Sequence, residues 1–311
     1  MIALSTSWKS EECRDGDKLV QAVVDAGFDG IELEYRIAAT IFQQMLPALK
    51  RSGLKVVSVH NYFPIPPILS PSKGGGDLFI LSHPDREARL EAIKWTTRTI
   101  QHAGDLGACA VVLHCGRVDM APEMEILREY FHTGRIASEE ARTFIDRKQE
   151  ERDLIKPKYM NSLRFSMDRL IPIAERQNIT LGVENRYHYH ELPGLDDFET
   201  LFAEFSGAPL GYWHDTGHAH ANERLGITAG GEMLKRYADC LVGIHLHDAI
   251  GLEDHFAPGK GEIDFEAVRP LLTKDMPAVV ELKPGTREAD VSAGLRFVRQ
   301  LVETKKNSAT F

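Results

Sequence analysis

The sequence predicts a (β/α)8 barrel, on three grounds. Short apolar runs rich in β-branched residues recur along the chain, amphipathic stretches with helical spacing separate them, and a length of 311 residues suits one such barrel. The predicted strands are residues 1–5 (MIALS), 30–34 (GIELE), 55–60 (KVVSVH), 108–114 (ACAVVLH), 179–184 (ITLGVE), 210–215 (LGYWHD), 241–248 (LVGIHLHD) and 278–283 (AVVELK). They are mostly non-alternating, as parallel strands buried on both faces should be. Between the first two, Leu19, Ala22, Val23 and Ala26 share one helical face, and Gly27 suits the stop. Between the third and fourth, Ser82 is the expected cap, with Pro84 near the first turn. Leu90, Ile93, Thr97 and Ile100 then repeat at helical spacing. A doubly wound open sheet is the alternative, but it lacks its glycine-rich phosphate loop after the first strand.

No domain boundary is visible, so residues 1–311 read as one barrel domain. The Pro/Gly-rich stretch 64–77 follows the third strand and reads as a long loop on the active face. The charged stretch of about 117–160 reads as a helical insertion after strand four, either a solvated helix or a lid or oligomer contact.

Composition narrows the function classes. Hydrophobic residues at 43% and charged residues at 27% are ordinary globular values. A formal charge of −9 disfavours a nucleic-acid partner, because phosphate contact needs clustered cations. The N-terminus has no signal-peptide apolar run, and no segment reaches the roughly 18 apolar residues of a membrane span, so the expected location is cytoplasmic. Cys13, Cys109, Cys115 and Cys240 form no C-x-x-C pair and read as reduced thiols.

The polar residues fall where barrel chemistry sits, at the C-terminal strand ends. His60 and His114 end strands three and four, Glu184 ends strand five and Asp215 closes strand six, with His218 one turn later. His245 lies near the end of strand seven and Glu281 near the end of strand eight. The loop after strand seven adds Glu253 and His255. One such residue alone is more simply a helix cap or a satisfied core histidine. A set converging on one mouth would be costly to bury without a cation, so a divalent metal is expected. The ligands are N/O only, which points to Zn or Mn, with Mg, Co or Fe(II) also compatible. By strand parity His214 faces away from the mouth, and His220 is left undecided. His247 shares the side of His245, either behind the ligands or facing substrate.

With these residues in place, the sequence resembles the xylose isomerase-like barrel superfamily, from GFDGIELEY to VVELKPG. The most specific stretches are GVENRYHY, WHDTGHAH, GIHLHDA, DHFAPGKGEIDF and VVELKPG. The superfamily includes sugar isomerases, ketose 3-epimerases, cyclic polyol dehydratases and endonuclease IV-type AP endonucleases. In the epimerase and isomerase branch, the resemblance implies one metal held by Glu184, Asp215, His245 and Glu281. In the endonuclease IV branch it implies up to three ions, adding His60, His114, His218, Glu253 and His255. There Glu253 stands where that branch has Asp, and HCG replaces its His-Pro-Gly.

Two function classes follow. The first is a metal-dependent isomerase or epimerase of a small carbohydrate-like substrate, in which Glu184 and Glu281 remove and return a proton next to a carbonyl. Arg186, His188, His247, Lys283 and Trp8 are its candidate substrate contacts, each weighed against packing or a surface ion pair. The second is a polynuclear hydrolase of phosphodiester type, with Glu184 bridging ions. A barrel that keeps a metal for stability alone is a third reading, disfavoured by the density of acid–base groups. The superfamily also implies a homo-oligomer.

Overall fold

The computed structural model describes residues 1–273 and 275–308. In chain order the strands are β1 (Ile2–Ser5), β2 (Gly30–Leu33), β3 (Lys55–His60), β4 (Ala110–Leu113), β5 (Thr180–Glu184), β6 (Leu210–Asp215), β7 (Leu241–Leu246), β8 (Asp248–Ile250), β9 (Glu253–Phe256) and β10 (Ala278–Val280). The helices are α1 (Gly16–Asp25), α2 (Ala39–Ser52), α3 (Arg86–Asp105), α4 (Met124–His132), α5 (Glu139–Gln177), α6 (Leu195–Glu204), α7 (Thr216–Arg224), α8 (Glu232–Tyr237) and α9 (Glu288–Ser308). Eight parallel strands close in the order β1-β10-β7-β6-β5-β4-β3-β2, so the expected barrel is what the chain forms.

Two apolar layers explain the closure. Residues such as Leu4, Ile31, Leu33, Val111, Val183 and Leu246 point outward into a shell covered by the helices. The opposite faces of the strands fill the interior with Ala3, Val57, Ala110, Val112, Trp213 and Val279. Trp213 is the largest of these, and it fits because its neighbours are glycines. A Cβ on Gly182 or Gly243 would collide with its ring. The indole forms the floor beneath the mouth, edge-on to His245 at 5.2 Å.

Several local expectations change. The cap of α3 is Asp85, whose carboxylate accepts from the Ala88 N–H at 2.9 Å, and not Ser82, which is fully buried. His83 N–H turns back to the Ile80 carbonyl, so the chain reaches helical geometry three residues later than Ser82. The charged insertion is helical, as α4 and then an early start to α5, which runs on for 39 residues through Pro157 and Pro172. Strand seven ends at Leu246, and Asp248 begins an antiparallel hairpin, β8 to β9, that the sequence reading did not foresee. No described helix is long and apolar enough to cross a membrane.

Candidate metal centre

The mouth gathers side chains from well-separated strands. Glu184 closes β5 and Asp215 closes β6, while His245 lies one residue before the end of β7. Glu281 follows β10, and its N–H still bonds the Leu246 carbonyl, so it keeps the strand's direction. Asp215 is also the N-cap of α7, accepting from the His218 N–H at 2.7 Å, so the capping and ligand readings are both met by one carboxylate. One ligand atom from each of Glu184, Asp215, His245 and Glu281 falls within a 4.8 Å cluster. His245 Nδ1 is 2.6 Å from Glu184 Oε1 and 3.1 Å from Glu281 Oε2. His60, His114 and Glu184 form a second cluster on the same criterion.

The outer nitrogen of each imidazole decides what its inner nitrogen can do. Nδ1 of His60 faces the Asn61 carbonyl at 3.0 Å, and Nδ1 of His114 faces Asp77 Oδ2 at 3.4 Å. Nδ1 of His218 faces the Asn185 carbonyl at 2.9 Å, and Nε2 of His245 faces Glu32 Oε2 at 3.1 Å. Carbonyls and carboxylates only accept, so each of these outer nitrogens carries a proton, and the other nitrogen can offer its lone pair to a cation once it gives up any proton it shares with a mouth carboxylate, as metal-ligating histidines do. In His60, His114 and His245 that second nitrogen points at Glu184. The donor set therefore fits a divalent cation.

His247 is the exception. Its Nδ1 accepts from the His255 N–H at 2.9 Å, so the proton must sit on Nε2, which donates to both oxygens of Asp215. Although Asp215, His247, His255 and Glu281 also lie within one 4.8 Å cluster, His247 has no lone pair to give there. It is fully buried and holds Asp215 through Nε2.

The charges confirm how much this cluster depends on mutual compensation. Burial alone would raise carboxylate pKa values and lower imidazole ones. For Glu184 burial is outweighed by His245, His114 and His60, which hold its pKa well below the usual carboxylate range. Glu281, beside His245 and His255, and Asp215, beside His218 and His247, are held down in the same way. His114 is raised to about 9, because Asp77 and Glu184 overcome its burial and the repulsion of Arg186. His245 is raised as well, burial being overcome by Glu281, Glu32 and Glu184.

The other candidates take different places. Arg186 is buried, and its guanidinium ties Asp77 at 2.8 Å, Glu191 at 3.0 Å and Glu184 at 3.5 Å. His188 lies at the rim with Nδ1 3.3 Å from Glu191. Trp8 is buried and its indole N–H donates to the Thr286 carbonyl at 2.7 Å. Lys283 is exposed, with Nζ 3.7 Å above the Phe256 ring. Glu253 is exposed and outside the clusters; Asp254 is the acid on His255, 2.9 Å from its Nδ1. His255 has a φ of +59°, which turns the backbone out of extended geometry there. His214 is buried with Nδ1 on the Tyr212 hydroxyl at 2.7 Å, as parity implied. His220 lies 4.0 Å from Glu262, away from the mouth clusters. Asp77, Glu32, Asn185 and Asp254 were missed by the sequence reading.

Residues 20–301 match the family described as "Xylose isomerase-like TIM barrel". The chain belongs to that family. The chain is 25% identical over 277 residues to the uncharacterized protein y4fM of Sinorhizobium fredii, covering 84% of this chain and 77% of that one. Among solved structures it resembles 3-keto-D-glucoside 4-epimerase, YcjR, from E. coli, with a TM-score of 0.67 at 16% identity, covering 96% and 98% of the two chains. It also resembles an L-ribulose 3-epimerase, with a TM-score of 0.67 at 16% identity over 99% and 96%. Identities this low establish a shared fold.

Proposed function

We propose that the protein is a divalent-metal-dependent epimerase or isomerase of a small ketose-like or keto-glycoside substrate. One observation carries this reading: Glu184 and Glu281, both buried, approach the same nitrogen of His245, Nδ1, within a four-residue cluster that also includes Asp215. The epimerases among its structural relatives give the reading its substrate class.

Glu184, Asp215, His245 and Glu281 would hold the ion. When bound, it withdraws electron density from the substrate carbonyl and so acidifies the neighbouring C–H. Glu184 and Glu281 act on that C–H as a base and an acid, one taking the proton and the other returning it. Both are held in the ionised form by their histidines in the ion-free protein, so either can take the proton, and the one that returns it must first gain a proton from solvent. Arg186 clamps Glu184 through Nη1 while its other nitrogen holds Asp77 and Glu191, fixing the carboxylate without entering the reaction.

The reading is tested with Mn2+-loaded protein in D2O and a panel of ketoses and keto-glycosides. Deuterium should enter the carbon next to the carbonyl, and Glu281→Gln should slow this by about 10²–10⁴-fold. Absence of exchange across the panel would count against proton transfer.

The cluster of His60, His114 and Glu184 favours a second reading, a hydrolase with more than one ion. Hydrolysis of a phosphodiester that is lost in His114→Ala, with no deuterium exchange, would support it over the first.

A further inference from the structure

We infer that Glu32 is a positioning residue that sets the tautomer and orientation of the His245 imidazole for ion binding; this rests on the metal reading above. Glu32 is fully buried inside the barrel wall, on β2, away from solvent. Its Oε2 faces His245 Nε2 at 3.1 Å and accepts from the Ser58 hydroxyl at 2.7 Å. The opposite nitrogen of the same ring, Nδ1, faces Glu184 and Glu281. The imidazole is thus a bridge between a carboxylate in the barrel wall and the carboxylates of the mouth.

A structural role alone does not account for this arrangement. Oε1 of Glu32 has no hydrogen-bond partner among the described residues, and apolar side chains such as Ala3, Val57 and Val279 fill much of the barrel interior. A carboxylate oxygen buried without a donor costs stability, and an apolar residue of similar size would fill the space at lower cost. What the carboxylate supplies is an acceptor for Nε2–H. That keeps the lone pair of His245 on Nδ1, facing the cluster, and makes the ring more basic toward a cation. Trp213, edge-on at 5.2 Å, and His60, stacked at 6.0 Å, flank the ring, and the hydrogen bond to Glu32 anchors its Nε2 end. Ser58 holds the carboxylate in place from β3.

The test is isothermal titration of the ion-free full-length protein with Mn2+, together with the visible absorption of the Co2+ form and the melting temperature of the ion-free form. Glu32→Ala is expected to weaken Mn2+ binding by about 10- to 100-fold. Glu32→Gln, which keeps an acceptor oxygen without the charge, should weaken it less and shift the Co2+ bands. Ser58→Ala should weaken binding by about threefold, and it carries the test should Glu32→Ala not fold. The ion-free melting temperature of Glu32→Ala should fall, because His245 Nε2–H and the Ser58 hydroxyl lose their acceptor, so binding is compared only in variants that remain folded at the titration temperature. Mn2+ binding unchanged within about twofold in folded Glu32→Ala and in Ser58→Ala, with wild type binding normally, overturns this inference and leaves the metal reading standing. Wild type that binds neither Mn2+ nor Co2+ overturns the metal reading, and the inference with it.

Discussion

The Nε2–H of His247 is shared between the two carboxylate oxygens of Asp215, at 2.9 and 3.0 Å. Because His255 N–H occupies the other ring nitrogen, His247 can only donate, and its work is to aim Asp215. Replacing it by Ala should weaken divalent-ion binding by about tenfold, as loss of an outer partner does at other metal sites. His247→Gln, which retains an N–H donor, should stay within about threefold of wild type in the same titration. Equal losses in both variants would contradict the orienting role.

Ion binding should release protons. His114 in the ion-free protein is raised to about 9 by Asp77 and Glu184 against its burial, so it is protonated at pH 7. A cation that takes its inner nitrogen must displace that proton. Apparent affinity should therefore rise as pH is raised toward 9 and level off above it. Titrations at pH 7 in buffers of different ionisation enthalpy should show heats that track the buffer, with at least about one proton released per ion bound at the His60–His114–Glu184 cluster.

The acid limb of stability should carry a contribution from His190. Burial lowers its pKa to about 4, and its Nδ1 has no hydrogen-bond partner among the described residues. The folded state thus binds fewer protons than the unfolded one between pH 6.5 and 4, and stability falls as pH drops through that window. His190→Asn should flatten this fall by roughly 1–2 kcal/mol in urea titrations at pH 4.5 and 7, the effect being limited by partial solvent screening of the ring.

The barrel floor sets a packing limit. A methyl group on Gly243 would run into the Trp213 ring, and that ring has no free space around it. Gly243→Ala should cost about 1–3 kcal/mol in denaturant unfolding. Trp213→Phe in the same background should recover part of the loss.

Much of the barrel could be read from the chain because parallel strands leave a strong signal. Both faces are buried over 56–60 and 110–113, and the polar residue at the end of each run marks the mouth. Parity within a regular strand also worked, separating His214 from Asp215. Glu32 escaped because GIELE alternates apolar and acidic residues, which reads as one wet face. In a closed barrel that second face is the interior, and the acid there meets His245. Asp77 escaped because it reaches His114 from an irregular loop, where sequence spacing carries no directional rule. Asp254 was passed over for Glu253 because the acid-x-His spacing came from the family resemblance, whereas the left-handed backbone at His255 brings its ring to the adjacent acid.

The most direct test is to strip the protein of metal, reload it with Mn2+, and count tightly bound ions by equilibrium dialysis in wild type, Asp215→Asn and Glu281→Gln. At least one tightly held ion per chain in wild type, weakened by about tenfold or more in each variant, is the expected result. Wild-type protein that retains no ion, or variants that hold it as firmly as wild type, would contradict a metal centre built from Glu184, Asp215, His245 and Glu281.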